Sequence, residues 1–381
     1  MLLRRKLCVV LVIATVLFLM LASQSIQRKH FLPLSLVPSI SRATTSGEDS
    51  RTEIVVEPMA STADWTPEQF PDPPQTPVPP SNTKPEAKEK LQENTRDDTR
   101  HCGCSESCIS DLRGSDWFRE RYDPKQQPIL RDTDKNFDPE ALKWWLGLQR
   151  SGDDQTLEEV MSDMFQVISP PTVDFRPLTS RCRSCAVVGN SGNLQRSGNG
   201  KLIDSHGSVI RMNKAVTRGF EKDVGNRTTH HFMYPESAVD IDRGVSLVLL
   251  PFKLRDLEWV TSALSTGEVK MTYMRVKDRV KADKDKVLVV NPVFFKYAHE
   301  HWTERHGRYP STGMLAIIFA LHTCDQVSVF GYGADKQGNW HHYWEENRYA
   351  GAFRKTGVHS ADFETQVIHQ LAKQGKISLH L

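Results

Sequence analysis

The sequence predicts an α/β fold, one large domain with a mostly parallel sheet covered on both faces. Short apolar runs that read as strands alternate with segments of helical spacing. Glycine or asparagine corners follow several of those runs, where open α/β sheets bind ligands. No internal repeat is visible.

The chain has 381 residues and opens on a short basic tail, residues 1–6, carrying Arg4, Arg5 and Lys6. Leu7 to Ala22 then run without a charge. At ~1.5 Å per helical residue such a run is short for a plasma membrane but fits the thinner bilayers of the early secretory pathway. The preceding cations keep the N-terminus cytosolic, so residues 7–23 are expected to be a type II signal anchor with everything after them lumenal. A cleaved signal peptide ending near Ala22 and Ser23 is the competing reading, and it delivers the chain to the same compartment.

Residues 24–100 are polar, and Pro71, Pro73, Pro74, Pro77, Pro79 and Pro80 follow in quick succession. A segment of this composition builds no core and is expected to be an extended stem. Residues 101–381 form the predicted lumenal domain, long enough for a substantial core. The net charge of +2, with no basic stripe interleaved with aromatics, excludes a nucleic-acid partner.

Within the domain the expected strands are Ala186 to Val188, Val209 to Met212, Val245 to Pro251, Lys286 to Val290, Val327 to Phe330 and Ile377 to Leu379. Helical spacing marks Leu254 to Leu264, Pro292 to Arg305, Ser311 to His322 and Ala361 to Lys373. After Val188 comes Gly189-Asn190-Ser191-Gly192-Asn193, a glycine loop whose amides can approach a phosphate, with the following helix expected to aim its positive end there. Its spacing is neither G-x-G-x-x-G nor the P-loop pattern. Asn213 and the turn Gly331-Tyr332-Gly333 occupy comparable strand ends.

Cys8 lies in the anchor run, leaving Cys102, Cys104, Cys108, Cys182, Cys185 and Cys324 in the domain. In an oxidising lumen an even set favours disulfides over zinc, and six cysteines leave the connectivity open. Asn226-Arg227-Thr228 is an N-glycosylation sequon consistent with a secretory route.

Two histidines are candidates for proton transfer: His342, in an aromatic-rich loop, and His359, at the start of the last helix. The bland alternative is that they are two ordinary members of a set of 14. Ser311-Thr312-Gly313 opens an apolar helix and reads both as an N-cap and as an anion-binding start. Three Asp-x-Asp pairs, beginning at Asp132, Asp240 and Asp283, have the spacing of a metal site. None follows an apolar strand directly, and no metal is expected.

Taken together, these segments resemble the eukaryotic sialyltransferases, within them the beta-galactoside alpha-2,3-sialyltransferases that use Gal-beta-1,3-GalNAc acceptors. The long motif runs from Cys185 to about Phe232, continuing through Met233-Tyr234-Pro235-Glu236-Ser237. The short motif is Arg308 to Met314, followed by Gly331-Tyr332-Gly333-Ala334-Asp335. Then come His341-His342-Tyr343-Trp344-Glu345 and His359 with Glu364.

The resemblance implies a variant of the GT-A fold, a single Rossmann-like domain working without a metal or other cofactor. It implies CMP-sialic acid as donor, with Asn190 and Asn213 on the nucleotide and Ser311, Thr312, Gly313, Gly331 and Gly333 lining the donor pocket. By the same matching Tyr273 and Tyr309 reach the phosphate, His342 steadies the leaving phosphate, and His359 is the general base. Gln149, after Trp144 and Trp145, corresponds to a galactose contact, while the tryptophans themselves read as helix packing. The implied disulfides are Cys102 to Cys108, Cys104 to Cys182 and Cys185 to Cys324. A Golgi membrane location follows, with a soluble released form and a homodimer left open. Two other functions compete with this one: a metal-dependent transferase using nucleotide diphosphate sugars, and an inactive lumenal relative that binds glycans without turnover.

Overall fold

The computed structural model describes residues 102–105, 108–149, 155–172, 178–335, 338–346 and 357–381. The expected tail, anchor and stem, residues 1–100, lie outside them. Among the described residues no helix is long and apolar enough to cross a membrane.

Seven parallel strands form one sheet: β1 (Ser184–Val188), β2 (Ser208–Met212), β3 (His230–Met233), β4 (Ser246–Leu249), β5 (Val287–Val289), β6 (Gln326–Phe330) and β7 (Ser378–His380). Their spatial order is β5-β4-β3-β2-β1-β6-β7. The chain winds outward from β1 to β5, then returns to the other side of β1. The order reverses between β1 and β6, which opens a crevice beyond their carboxyl ends.

Strand β3 is absent from the sequence expectation. His230 and His231 break its apolar pattern, yet both sides of the strand are paired, to β2 and to β4. Burial of Phe232 and Met233 fixes it in the sheet interior.

Alternate strand residues serve separate cores. Val187, Ile210, Phe232, Val248 and Val329 pack with one helix layer, while Met233, Leu247 and Leu249 pack with another. That is the period-two signature of a sheet covered on both sides. The central helix, α8 (Thr312–Thr323), has ten consecutive buried residues from Met314 to Thr323 and packs on β1, β2, β3 and β6. A helix apolar all round belongs in a core.

The described helices that precede it are α1 (Asp116–Arg121), α2 (Pro139–Leu146), α3 (Leu157–Val167), α4 (Gly200–Ser205), α5 (Glu221–Val224), α6 (Leu254–Ala263) and α7 (Pro292–Tyr297). The last is α9 (Ala361–Lys373). Helix α7 continues through a π-helical turn, Ala298–Trp302, and stops there rather than reaching Arg305. Glu304 and Arg305 adopt left-handed φ angles of 47° and 63°, which no helix continues through. In α2, Trp145 is buried with its indole N–H donating to the Pro251 carbonyl at 2.7 Å, and Trp144 stacks on His299. Both tryptophans are packing residues.

Three disulfides join Cys102 to Cys108, Cys104 to Cys182 and Cys185 to Cys324. The third ties the start of β1 to the C-cap of α8 across 139 residues. Closing a loop of that size in the unfolded chain contributes on the order of 4–5 kcal/mol. Asn226, in the sequon, is exposed beyond the end of α5.

Candidate active site

The site forms where the loops after β1 and β6 are laced together. Gly189 N–H donates to the Phe330 carbonyl (2.8 Å), Ser191 N–H to the Gly331 carbonyl (3.0 Å) and the Ser191 hydroxyl to the Gly333 carbonyl (2.7 Å). Asn193 Nδ2 donates to the Tyr332 carbonyl at 2.7 Å. A Cβ on Gly189 would lie 2.3 Å from the Gly331 oxygen, so only glycine allows this approach.

The helix expected directly after the glycine loop is displaced. A 3₁₀ turn, Gly192–Leu194, comes first, and α4 begins only at Gly200, packed against the carbonyl of Glu221. Helix α4 packs against α5. The cradle's polar character comes from side-chain amides instead.

Asn190 donates through Nδ2 to the Met212 carbonyl at 3.1 Å, while its Oδ1 is buried without a protein partner. Asn213, left-handed at φ 58°, donates its N–H to the Phe232 carbonyl and accepts from His231 Nε2 at 2.6 Å on its own carbonyl. Its Oδ1 is likewise buried and unpartnered. Such acceptors carry a desolvation cost until an N–H or O–H donor meets them. Two at adjacent strand ends suit a ligand bearing amino and hydroxyl groups.

His342 lies along the same loop. Gly192 N–H donates to the His341 carbonyl (2.8 Å), Tyr343 N–H donates to the Asn190 carbonyl (3.1 Å), and Ser191 and His342 form an antiparallel bridge. His342 Nδ1 is 2.8 Å from Glu345 Oε1, and its ring stacks on Trp344 with centroids 4.6 Å apart. The Glu345 carboxylate fixes the orientation of the ring through Nδ1 and leaves Nε2 as the ring nitrogen that can meet a ligand.

His359 sits on the second wall. Its Nδ1 donates to the Tyr309 carbonyl at 2.8 Å, and the Tyr309 ring meets it edge-on at 5.1 Å. Burial holds the imidazole below its ordinary value, partly opposed by that hydrogen bond. With the proton fixed on Nδ1, Nε2 is the basic nitrogen. Gln149 Nε2 donates to the Tyr309 hydroxyl at 3.2 Å, and Gln149 Oε1 is buried without a partner. Gln149, Tyr309 and His359 thus form one connected set.

The start of α8 joins the two walls. Ser311 is its N-cap, accepting from Met314 N–H at 3.1 Å. Its own hydroxyl and amide donate to Glu364 at 2.5 and 2.7 Å. Desolvation pushes the buried Glu364 carboxyl up to about 7 against the pull of both Ser311 bonds. Ser311 is therefore engaged inside the protein as an N-cap that braces the helix start. Thr312 follows in the first turn. Gly313 abuts Tyr332, whose hydroxyl donates to the Gly313 carbonyl at 3.0 Å. Gly331 and Gly333 are both left-handed, at φ 70° and 85°.

Tyr273 stands apart on a hairpin tip, 62% exposed, with the Lys253 ammonium 5.0 Å from its ring centroid. Sequence reasoning missed what lies beneath it: Lys253, Glu236 and Asp256, all buried and paired. It also passed over Glu345 as the partner of His342, although a spacing of three residues in that motif was a usable signal.

One carboxylate of each Asp-x-Asp pair is bound within the protein. Asp240 accepts from Lys281 N–H and pairs with Lys277, Asp283 accepts from Gly244 N–H, and Asp134 accepts from Arg131 N–H. Among the described residues, the one cluster of three metal-type side chains is Cys102, Cys104 and Cys108, all in disulfides.

Comparison with known proteins gives a consistent result. The family described as Glycosyltransferase family 29 (sialyltransferase) matches residues 129–376. CMP-N-acetylneuraminate-beta-galactosamide-alpha-2,3-sialyltransferase 2 of Mus musculus is 54% identical over 282 residues, 74% of this chain and 80% of its own length. The human CMP-N-acetylneuraminate-beta-galactosamide-alpha-2,3-sialyltransferase 1 is 48% identical over 296 residues, 76% of this chain and 86% of its own. A crystal structure of a mammalian sialyltransferase in complex with Gal-beta-1-3GalNAc-ortho-nitrophenol superposes with a TM-score of 0.67 at 47% identity, covering 73% of this chain and 98% of that one.

Proposed function

This chain belongs to glycosyltransferase family 29, the sialyltransferases, and from that premise we propose how its own residues perform the transfer. The enzyme moves sialic acid from CMP-sialic acid to a terminal galactose in alpha-2,3 linkage, with Gal-beta-1,3-GalNAc as acceptor. The observation that carries the mechanism is the His359 Nδ1 to Tyr309 carbonyl bond, which makes Nε2 the base.

The reaction is a direct displacement. His359 Nε2 takes the proton of the galactose 3-hydroxyl as that oxygen attacks the anomeric carbon of sialic acid. The bond to the phosphate oxygen breaks on the opposite side, CMP leaves with the electron pair, and a beta-linked donor becomes an alpha-linked product. His342, backed by Glu345, donates to the phosphate as its charge grows. The unpaired Oδ1 atoms of Asn190 and Asn213 accept from the nucleotide, and Tyr273 and Tyr309 donate near the phosphate. Gln149 Oε1 accepts from an acceptor-sugar hydroxyl.

The donor carries one phosphate rather than two, so hydrogen-bond donors replace the ion that a diphosphate leaving group needs, and the transfer runs without a metal. The lumenal side of the Golgi membrane fits the basic flank before Leu7 and the three disulfides. The test is transfer by the detergent-solubilised full chain from CMP-sialic acid to Gal-beta-1,3-GalNAc, with and without chelator. Transfer is expected to survive chelation. Chelator-abolished activity favours a metal enzyme, and no transfer at all removes the assignment.

A further inference from the structure

The Tyr273 hairpin rests on buried charges that the mechanism above does not use. Met271 bridges Arg275, and Thr272 N–H donates to the Met274 carbonyl, closing a tight turn with Tyr273 at its tip. Beneath it, Lys253 Nζ lies 3.1 Å from Glu236 Oε1 and 2.6 Å from Asp256 Oδ1, with side-chain exposures of 2%, 5% and 0%. Asp256 Oδ2 also accepts from the Phe252 N–H at 2.8 Å. The Thr272 hydroxyl donates to the same Glu236 oxygen that holds Lys253. Lys253 then faces the Tyr273 ring.

Burying one ammonium between two carboxylates is costly and seldom adds stability over an apolar core. An anion site does not explain it either, because the two carboxylates already cancel the Lys253 charge. What the cluster does is geometric. It contacts two successive residues of the hairpin, the hydroxyl of Thr272 and the ring face of Tyr273. A hairpin of this size has little apolar surface of its own to hold it.

We propose that Glu236 and Lys253 are positioning residues: through Thr272 and the Tyr273 ring they hold the 271–275 hairpin so that the Tyr273 phenol meets the donor phosphate. The inference rests on the reading of Tyr273 as a donor contact.

Substituting Glu236 or Lys253 leaves a buried charge unpaired and endangers the fold, so the decisive variant is Thr272→Val in the full chain. It removes the tether and keeps shape and buried pairs. The KM for CMP-sialic acid is expected to rise about three- to tenfold, the effect of one net hydrogen bond. The acceptor KM should stay within twofold, and Thr272→Ser should restore the donor KM. In a Tyr273→Phe background, Thr272→Val should add little, because both act through one phenol. Amide hydrogen exchange across 271–275 should quicken in Thr272→Val. An active wild type with an unchanged donor KM in Thr272→Val overturns this proposal alone, as do additive effects with Tyr273→Phe or unchanged exchange. A wild type that transfers nothing from CMP-sialic acid overturns the functional reading, and this proposal with it.

Discussion

Replacing His359 tests the mechanism at its centre. Its Nδ1 is committed to the Tyr309 carbonyl at 2.8 Å, and burial keeps the ring neutral below the usual histidine range. A positioned general base contributes a factor of about 10² to 10⁴, or roughly 3 to 5 kcal/mol of the barrier. His359→Ala should therefore lose at least about a hundredfold in kcat/KM while still binding CMP. His359→Asn is the control, since its amide can still donate to the Tyr309 carbonyl, and it should lose a comparable factor. The assay is initial-rate transfer from CMP-sialic acid to Gal-beta-1,3-GalNAc, with CMP affinity measured by calorimetry. The sign of the pH dependence follows from the downward shift. Protonating Nε2 removes the base, so wild-type kcat/KM falls as pH drops through a value below the ordinary ~6.5. Retention of His359→Ala activity within threefold, or an acid limb unmoved in the variant, refutes the assignment.

Gln149→Leu should raise the acceptor KM by roughly three- to tenfold, the range of one hydrogen bond, with the donor KM unchanged; a shift confined to the donor contradicts the assignment of Gln149 Oε1 to the acceptor sugar. Gly189→Ala sets a Cβ 2.3 Å from the Gly331 carbonyl and should abolish folding or donor binding. Gly333→Ala meets open space and should cost only the ~1–2 kcal/mol of a left-handed residue, so equal losses in thermal unfolding would count against the packed-loop account. Glu364 has its folded value raised to about 7 from 4.5, so the folded state binds more protons between those values and its stability falls as pH rises through them. Most of the effect, on the order of 2 kcal/mol, should appear as a wild-type Tm that gains on Glu364→Gln when pH drops from 7 to 5; parallel curves would exclude it.

Much of the fold was legible because burial leaves a plain mark on sequence. Strands such as Val187-Val188 and Val327 to Phe330 are short apolar runs, and α8 is apolar on every face. Strand β3 was hidden, since His230 and His231 owe their places to neighbours on both sides rather than to their own polarity. The end of α7 is hidden for a similar reason: the break depends on left-handed backbone at Glu304 and Arg305, to which helical spacing is blind.

By itself the sequence determined the order of elements, the glycine corners, the even set of cysteines in the domain and the residue types able to carry a proton. These are local properties, written in periodicity, composition and motif. The tertiary structure alone decided that β6 lies beside β1, so that Gly189 meets Gly331, and that the Tyr309 carbonyl sets the tautomer of His359, 50 residues away. It alone brought Glu236, Lys253 and Asp256 beneath Tyr273. Contacts of that kind depend on how distant segments are packed, and a chain read in one dimension holds no record of the distance between them.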